Sequence, residues 1–370
     1  MKRSSELLSR LLAFSLVTVS LSAQQSAPKI PADFDASFLK LNYQMNLGEV
    51  LGVAVNSKGT IVVLNHPGSA TVGPIYGNAT TQLLEFDSSG KFTRELAKAV
   101  YGLGYAHSVR FDRYDNLWVV DKGANTVIKF NPGGMVLMNL GRRPEGPDVP
   151  EYFDPRKVAQ NPPRQVDGYF NGSTDVTWDA QDNIYVSDGY SNSRIAKYDK
   201  HGNWIKSWGS RGTATGQFNT PHNIVSDRDG NIYVADRGNA RIQVFDGDGN
   251  FLRLILLNVP YDKSRHPVLG NIRQNAPDVT APWALCMTNT MPQYLYAADE
   301  EPGRIYKINP KDGKILGWFG ESGHELGQFS WVHGIACPSE NTLLIADMNN
   351  WRVQKVTLHP GGSTSKSASR

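Results

Sequence analysis

Residues 216–250 read GQFNTPHNIVSDRDGNIYVADRGNARIQVFDGDGN. Short runs rich in β-branched and aromatic residues alternate here with turn-forming clusters, the pattern of short strands joined by tight turns. Within the stretch His222 stands fourteen residues ahead of Asp236. The same fourteen-residue step joins His107 to Asp121, Thr174 to Asp188 and His333 to Asp347, and it joins Leu51 to an asparagine, Asn65. Trp283 precedes Asp299 by sixteen. After the aspartate most copies run through an Asn and an Arg into an apolar strand, as in SNSRIAKYD, GNARIQVFD and NNWRVQKV. Six copies at a period of roughly 45 residues, each with about four strands, predict an all-β fold, a six-bladed β-propeller.

The rest of the chain is arranged around this repeat. Residues 1–23 carry early basic residues (Lys2, Arg3, Arg10), then LLAFSLVTVSL, then small residues, which reads as a secretory signal peptide and predicts export to the periplasm or the exterior. Residues 24–45 lead in, and FLKLNY within them is expected to pair with the last blade, whose own copy ends near Val356 without an outer strand. The propeller is assigned to residues 46–358 and a disordered tail to residues 359–370. Insertions at 66–81, 142–173 and 257–281 break the period and are expected to roof one mouth of the central channel.

A net charge of +3 with both signs interspersed gives no basic stripe for nucleic acid, and no apolar run after the leader reaches membrane length. The two cysteines, Cys286 and Cys337, fall at nearly corresponding places in the fifth and sixth copies; the spacing leaves open a disulfide or two buried thiols and excludes a CxxC site.

Three of the eight histidines, His107, His222 and His333, share one position of the repeat, in copies two, four and six. Alternate blades of a six-bladed ring stand about 120° apart, so the three imidazoles are expected to converge on the axis as a metal site with an open position, the arrangement of catalytic zinc. The recurring Asp188 with Arg194, Asp236 with Arg241 and Asp347 with Arg352 are too regular for one active site and read as structural ties within blades. What differs between copies at the mouth is Tyr190, two residues after Asp188, and Arg237, directly after Asp236. A phenol beside a metal can serve as a base, and a guanidinium can fork a carboxylate.

The runs DGYSNSRI (188–195), GQFNTPHNIVSDRDGNIYVADRGNARIQVF (216–245) and AHSVRFDRYDNLWVVDKGANTVIKF (106–130) resemble NHL-repeat propellers and, more narrowly, the peptidyl-α-hydroxyglycine α-amidating lyases. The resemblance covers about residues 45–357. It implies zinc on His107, His222 and His333, Tyr190 as base, and Arg237 as carboxylate partner. The reaction implied is cleavage of an α-hydroxyglycine, a carbinolamide, into an amide and glyoxylate. Three positions depart from the family: His66 stands for a first-blade arginine and is taken with Tyr190 and Arg237 as a catalytic candidate, Trp331 stands for a methionine, and Gly334 for an acidic residue that helps hold a structural Ca2+ in the animal enzyme. The expected partner is a small-molecule or peptide substrate with a C-terminal carboxylate, and the expected state a monomer. Two alternatives stand beside the lyase: a non-enzymatic NHL propeller that binds a protein, peptide or glycan, and a zinc hydrolase using the same triad.

Overall fold

Each repeat folds as one antiparallel four-stranded sheet, and the computed structural model, which describes residues 26–67, 81–98, 100, 102–142, 164–262, 280–300 and 302–361, contains six of them among those residues. The expected signal peptide (1–23), most of the three insertions and the part of the expected tail beyond residue 361 lie outside the described residues. No helix among the described residues is long and apolar enough to cross a membrane. The inner strands are Glu49–Val55, Ala106–Phe111, Ser173–Trp178, Pro221–Ser226, Pro282–Met287 and Val332–Ser339, for blades 1 to 6 in order. They touch their neighbours all round the ring, that of blade 1 packing against those of blades 2 and 6.

Strand periodicity explains the stacking. Successive side chains of a strand point to opposite faces, and in blade 4 Ile232 and Val234 pack toward blade 3 while Tyr233 and Ala235 pack toward blade 5. Every blade is therefore apolar on both faces, and the core is divided into six clusters, one at each blade interface. At the far end of the inner hairpin in blades 2, 3 and 4 an aspartate (Asp112, Asp179 and Asp227) caps the turn, and in blade 1 Asn56 does so. Asp227 accepts from the backbone of Asp229 and Asn231 and from the Tyr233 hydroxyl, as Asp179 does from Gln181, Asn183 and Tyr185. The left-handed residue this turn needs is Gly230 in blade 4, Asp182 in blade 3 and Asp115 in blade 2.

The ring is closed by the N-terminal segment, but through a different strand from the one expected. Ala32–Asp35 pairs antiparallel with the blade 6 strand Arg352–Leu358, from Ala32 opposite Leu358 to Asp35 opposite Lys355. FLKLNY forms no strand; Phe38, Leu39 and Leu41 lie against the cluster between blades 6 and 1, and Lys40 makes one bridge to Lys91. Cys286 and Cys337 are joined by a disulfide that ties the inner strands of blades 5 and 6.

Candidate metal centre

The six equivalent residues His107, His222, His333, Leu51, Thr174 and Trp283 share one structural peculiarity. Each is the extra residue of a β-bulge at the start of its inner strand. In blade 4 Pro221 faces Asp236 and Asn223 faces Ala235, leaving His222 unpaired, and the same shift brackets the other five. A bulge re-aims a side chain and frees its backbone from the ladder, and both consequences are used.

In the even blades the side chain is used. His107, His222 and His333 are buried, their ring centroids are 4.6–4.9 Å apart, and their ligand atoms lie within 4.8 Å of one another. In the odd blades the carbonyl is used. Nδ1 of His107 donates to Thr174 O at 2.7 Å, that of His222 to Trp283 O at 2.9 Å, and that of His333 to Leu51 O at 2.8 Å. Each imidazole is thus fixed by the bulge carbonyl of the next blade in the tautomer that presents Nε2 as an acceptor, the usual outer support of a metal-ligating histidine. Burial, then the neighbouring imidazoles, holds His107 well below its ordinary pKa; burial, then the Arg237 charge, does so for His222; burial brings His333 to about 3. All three are neutral at pH 7. His222 Nε2 is buried without a hydrogen-bond partner, an orphaned acceptor of the kind a cation would satisfy. The donor set therefore fits a divalent ion, with imidazole nitrogen suiting zinc better than calcium. Among the described residues this is the one cluster of three such side chains close enough to share an ion.

The Asp–Arg pairs prove to be the scaffold of these loops. Asp236 Oδ1 accepts from Asn219 N and Asp347 Oδ1 from Ser330 N, each three residues before a triad histidine, while Asp121 accepts from Tyr105 N, two before His107. Arg241 meets Asp236 at 2.7 Å and reaches the carbonyls of Ala214 and Gln217; Arg352 does the same from Asp347 to Glu325 and Gln328. In blade 3 both partners, Asp188 and Arg194, are fully buried, and Arg194 also holds the carbonyls of Val166 and Tyr169. Removing one partner of a buried pair strands the other charge, so Arg194→Met should cost about 3–5 kcal/mol, read as a fall in the urea midpoint; a midpoint within error of the parent would refute the scaffold role.

Tyr190 leans over the triad. Its hydroxyl is 3.2 Å from His107 Nε2, and its ring centroid is 5.5 Å from that of His107 and 6.2 Å from that of His222. Burial by itself would raise the phenol, but the charges of Lys122 and Arg237, with a hydrogen bond from Arg237, outweigh it and leave its pKa below the ordinary value. Arg237 stacks on Trp283 at 4.2 Å, and Trp283 meets Trp331 edge to face at 4.5 Å, walling one side of the mouth. His66 is placed differently from the others. It is buried against Tyr105, 4.3 Å between centroids, beside Glu49, and burial, aided by the Lys122 charge, lowers it to about 4, so it supplies no cation at neutral pH.

Sequence reasoning missed the floor of the site. Arg110, on the inner strand of blade 2, crosses the channel to Asp175 at 2.6 Å, Asn223 Oδ1 at 2.8 Å and Leu285 O at 3.1 Å, joining blades 2 to 5 just below the ring of bulges. It separates the triad from a cavity of about 680 Å³ at the opposite mouth. Gly334 is small for a steric reason: a Cβ there would stand 3.0 Å from Gly52 Cα and 3.1 Å from Leu51 O. Any larger side chain there, an acidic one included, would have to push the blade 1 backbone aside by a few tenths of an ångström.

Comparison with known proteins agrees with this architecture. The NHL repeat family matches residues 218–245. The chain is 28% identical over 327 residues to peptidyl-glycine alpha-amidating monooxygenase A of Xenopus laevis, covering 82% of this chain and 31% of that protein. It is 28% identical over 219 residues to the probable peptidyl-alpha-hydroxyglycine alpha-amidating lyase of Caenorhabditis elegans, covering 55% of this chain and 57% of that one. The chain thus spans about a third of the first relative's length and somewhat over half of the second's. Among solved structures the virginiamycin B lyase of Staphylococcus aureus superposes with a TM-score of 0.53 over 89% of this chain and 100% of that one, at 14% identity, a likeness of fold alone.

Proposed function

For this NHL-repeat six-bladed propeller, homologous to the peptidyl-α-hydroxyglycine α-amidating lyases, we propose a zinc-dependent lyase activity that cleaves the C–N bond of a carbinolamide bearing a carboxylate. The observation that carries it is the three-imidazole centre with a phenol hydroxyl 3.2 Å from His107 Nε2. His107, His222 and His333 would hold the ion, which when bound would supply Lewis acidity toward the carbinol oxygen. Tyr190, its pKa already lowered, takes the hydroxyl proton. The oxygen electrons form the new carbonyl, the C–N bond breaks, and the nitrogen leaves with that electron pair and takes a proton. The products are an amide and glyoxylate, with no water consumed. Arg237 faces the carboxylate, its guanidinium set against Trp283. His66, neutral and walled in by Tyr105, shapes the mouth as an uncharged group.

The disulfide and the leader-like residues 1–23 favour an exported protein, where an oxidising compartment keeps the Cys286–Cys337 bond. The direct test is glyoxylate release from α-hydroxyhippurate by the zinc-loaded protein, suppressed by chelation and restored by zinc. Release at the uncatalysed rate by protein with a full complement of zinc would overturn the lyase reading.

A further inference from the structure

Two long cations, one from each neighbouring blade, lie against the phenol ring. Lys122 follows Asp121 as Arg237 follows Asp236, so blades 2 and 4 each set a cation at the same level, and blade 3 between them supplies Tyr190. Lys122 Nζ lies 4.5 Å from the Tyr190 ring centroid and 4.7 Å from that of Tyr105, and its backbone N–H donates to Tyr105 O at 3.0 Å. The ammonium is thus clamped between two aromatic faces at the rim of the site. Six other lysines and arginines of the blades, Arg110, Lys129, Lys197, Arg241, Lys307 and Arg352, each face a carboxylate. Lys122 forms no ion pair with any carboxylate of the described residues, while its charge bears on His66, all three triad histidines and Tyr190. An ammonium held by ring faces keeps its N–H donors for an acceptor from outside.

We propose that Lys122 is a substrate-binding residue that takes the substrate carboxylate jointly with Arg237 and so makes the centre selective for carbinolamides with an ionised carboxylate over their neutral amide counterparts. The identity of that anion rests on the lyase reading. Both cations contact the same phenol ring, and a carboxylate offers each of them a charged oxygen where an uncharged amide has a single carbonyl oxygen.

The test is binding of hippurate, which cannot react, and of uncharged hippuramide to zinc-loaded protein by calorimetry. Lys122→Met should weaken hippurate about 10–100-fold, the weight of one charge-assisted hydrogen bond. Hippuramide binding, zinc content and Tm should not change, and Lys122→Arg should recover most of the loss. Unchanged hippurate affinity in Lys122→Met, equal losses for both ligands, or no binding of hippurate by the parent protein would overturn the proposal. If hippurate binds through Lys122 but α-hydroxyhippurate yields no glyoxylate, the lyase reading falls and the anion site stands; if glyoxylate is released and Lys122→Met binds hippurate normally, the reverse holds.

Discussion

Replacing His222 by alanine is expected to cut the metal content of the purified protein from about one zinc per chain to below about a tenth, because two imidazoles do not make the three-ligand set of a catalytic zinc. Glyoxylate release should vanish with it. The bulge holds the other two rings where they are, since His107 is anchored to Thr174 O and His333 to Leu51 O independently of His222. The loss is therefore one of ligand number rather than of architecture. Some destabilisation will accompany it: Trp283 O loses its donor inside the protein, worth about 1–3 kcal/mol. His66→Ala separates the two effects, since His66 is also buried yet sits against Tyr105 outside the triad, and that variant should keep its metal. Elemental mass spectrometry on both variants, with circular dichroism to establish folding, decides the matter. Full zinc occupancy in folded His222→Ala would place the ion elsewhere.

How much of this was legible in the chain follows from what each feature depends on. The triad depends on side-chain identity at a fixed step from an aspartate, and that step is visible: His222 to Asp236 and its copies. The anchors depend on backbone carbonyls, which Leu51, Thr174 and Trp283 offer alike, so three unrelated side chains conceal one shared role. The closing strand misled for a related reason. An outermost strand is bonded along one edge and needs little apolar surface, so ADFD, half-exposed with Phe34 against Phe319 and Phe329, gave a weak pattern. FLKLNY is apolar because it packs on the flank of the ring, and an apolar run does not by itself distinguish burial from strand pairing. The disulfide needed the distance between two blades, which spacing along the chain does not contain. Lys122 carries no signal of its own in the sequence, because its significance lies in what surrounds it, two ring faces and no ion-paired carboxylate among the described residues.

Tyr190→Phe should lower kcat for α-hydroxyhippurate by about 10²–10⁴-fold, the usual range for loss of a positioned general base, while zinc content stays at the parent level. The substitution removes one oxygen and leaves the ring, so the Lys122 and Arg237 contacts over its face, at 4.5 and 5.6 Å, persist, as do the edge contacts with His107 and His222. KM should accordingly stay within about threefold of the parent, the sign that the hydroxyl acts in the transition state and not in holding the ground state. A structural role for the hydroxyl predicts the opposite division. Its contact with His107 Nε2 would then serve to orient that imidazole, and removal would loosen the metal; but His107 is already oriented from the other nitrogen by Thr174 O at 2.7 Å, so the ring does not need Tyr190 to hold it. Unchanged kcat with zinc retained would take the base away from Tyr190. Lost zinc would make the phenol a support of the metal, and His107 would need both of its hydrogen-bonding partners after all.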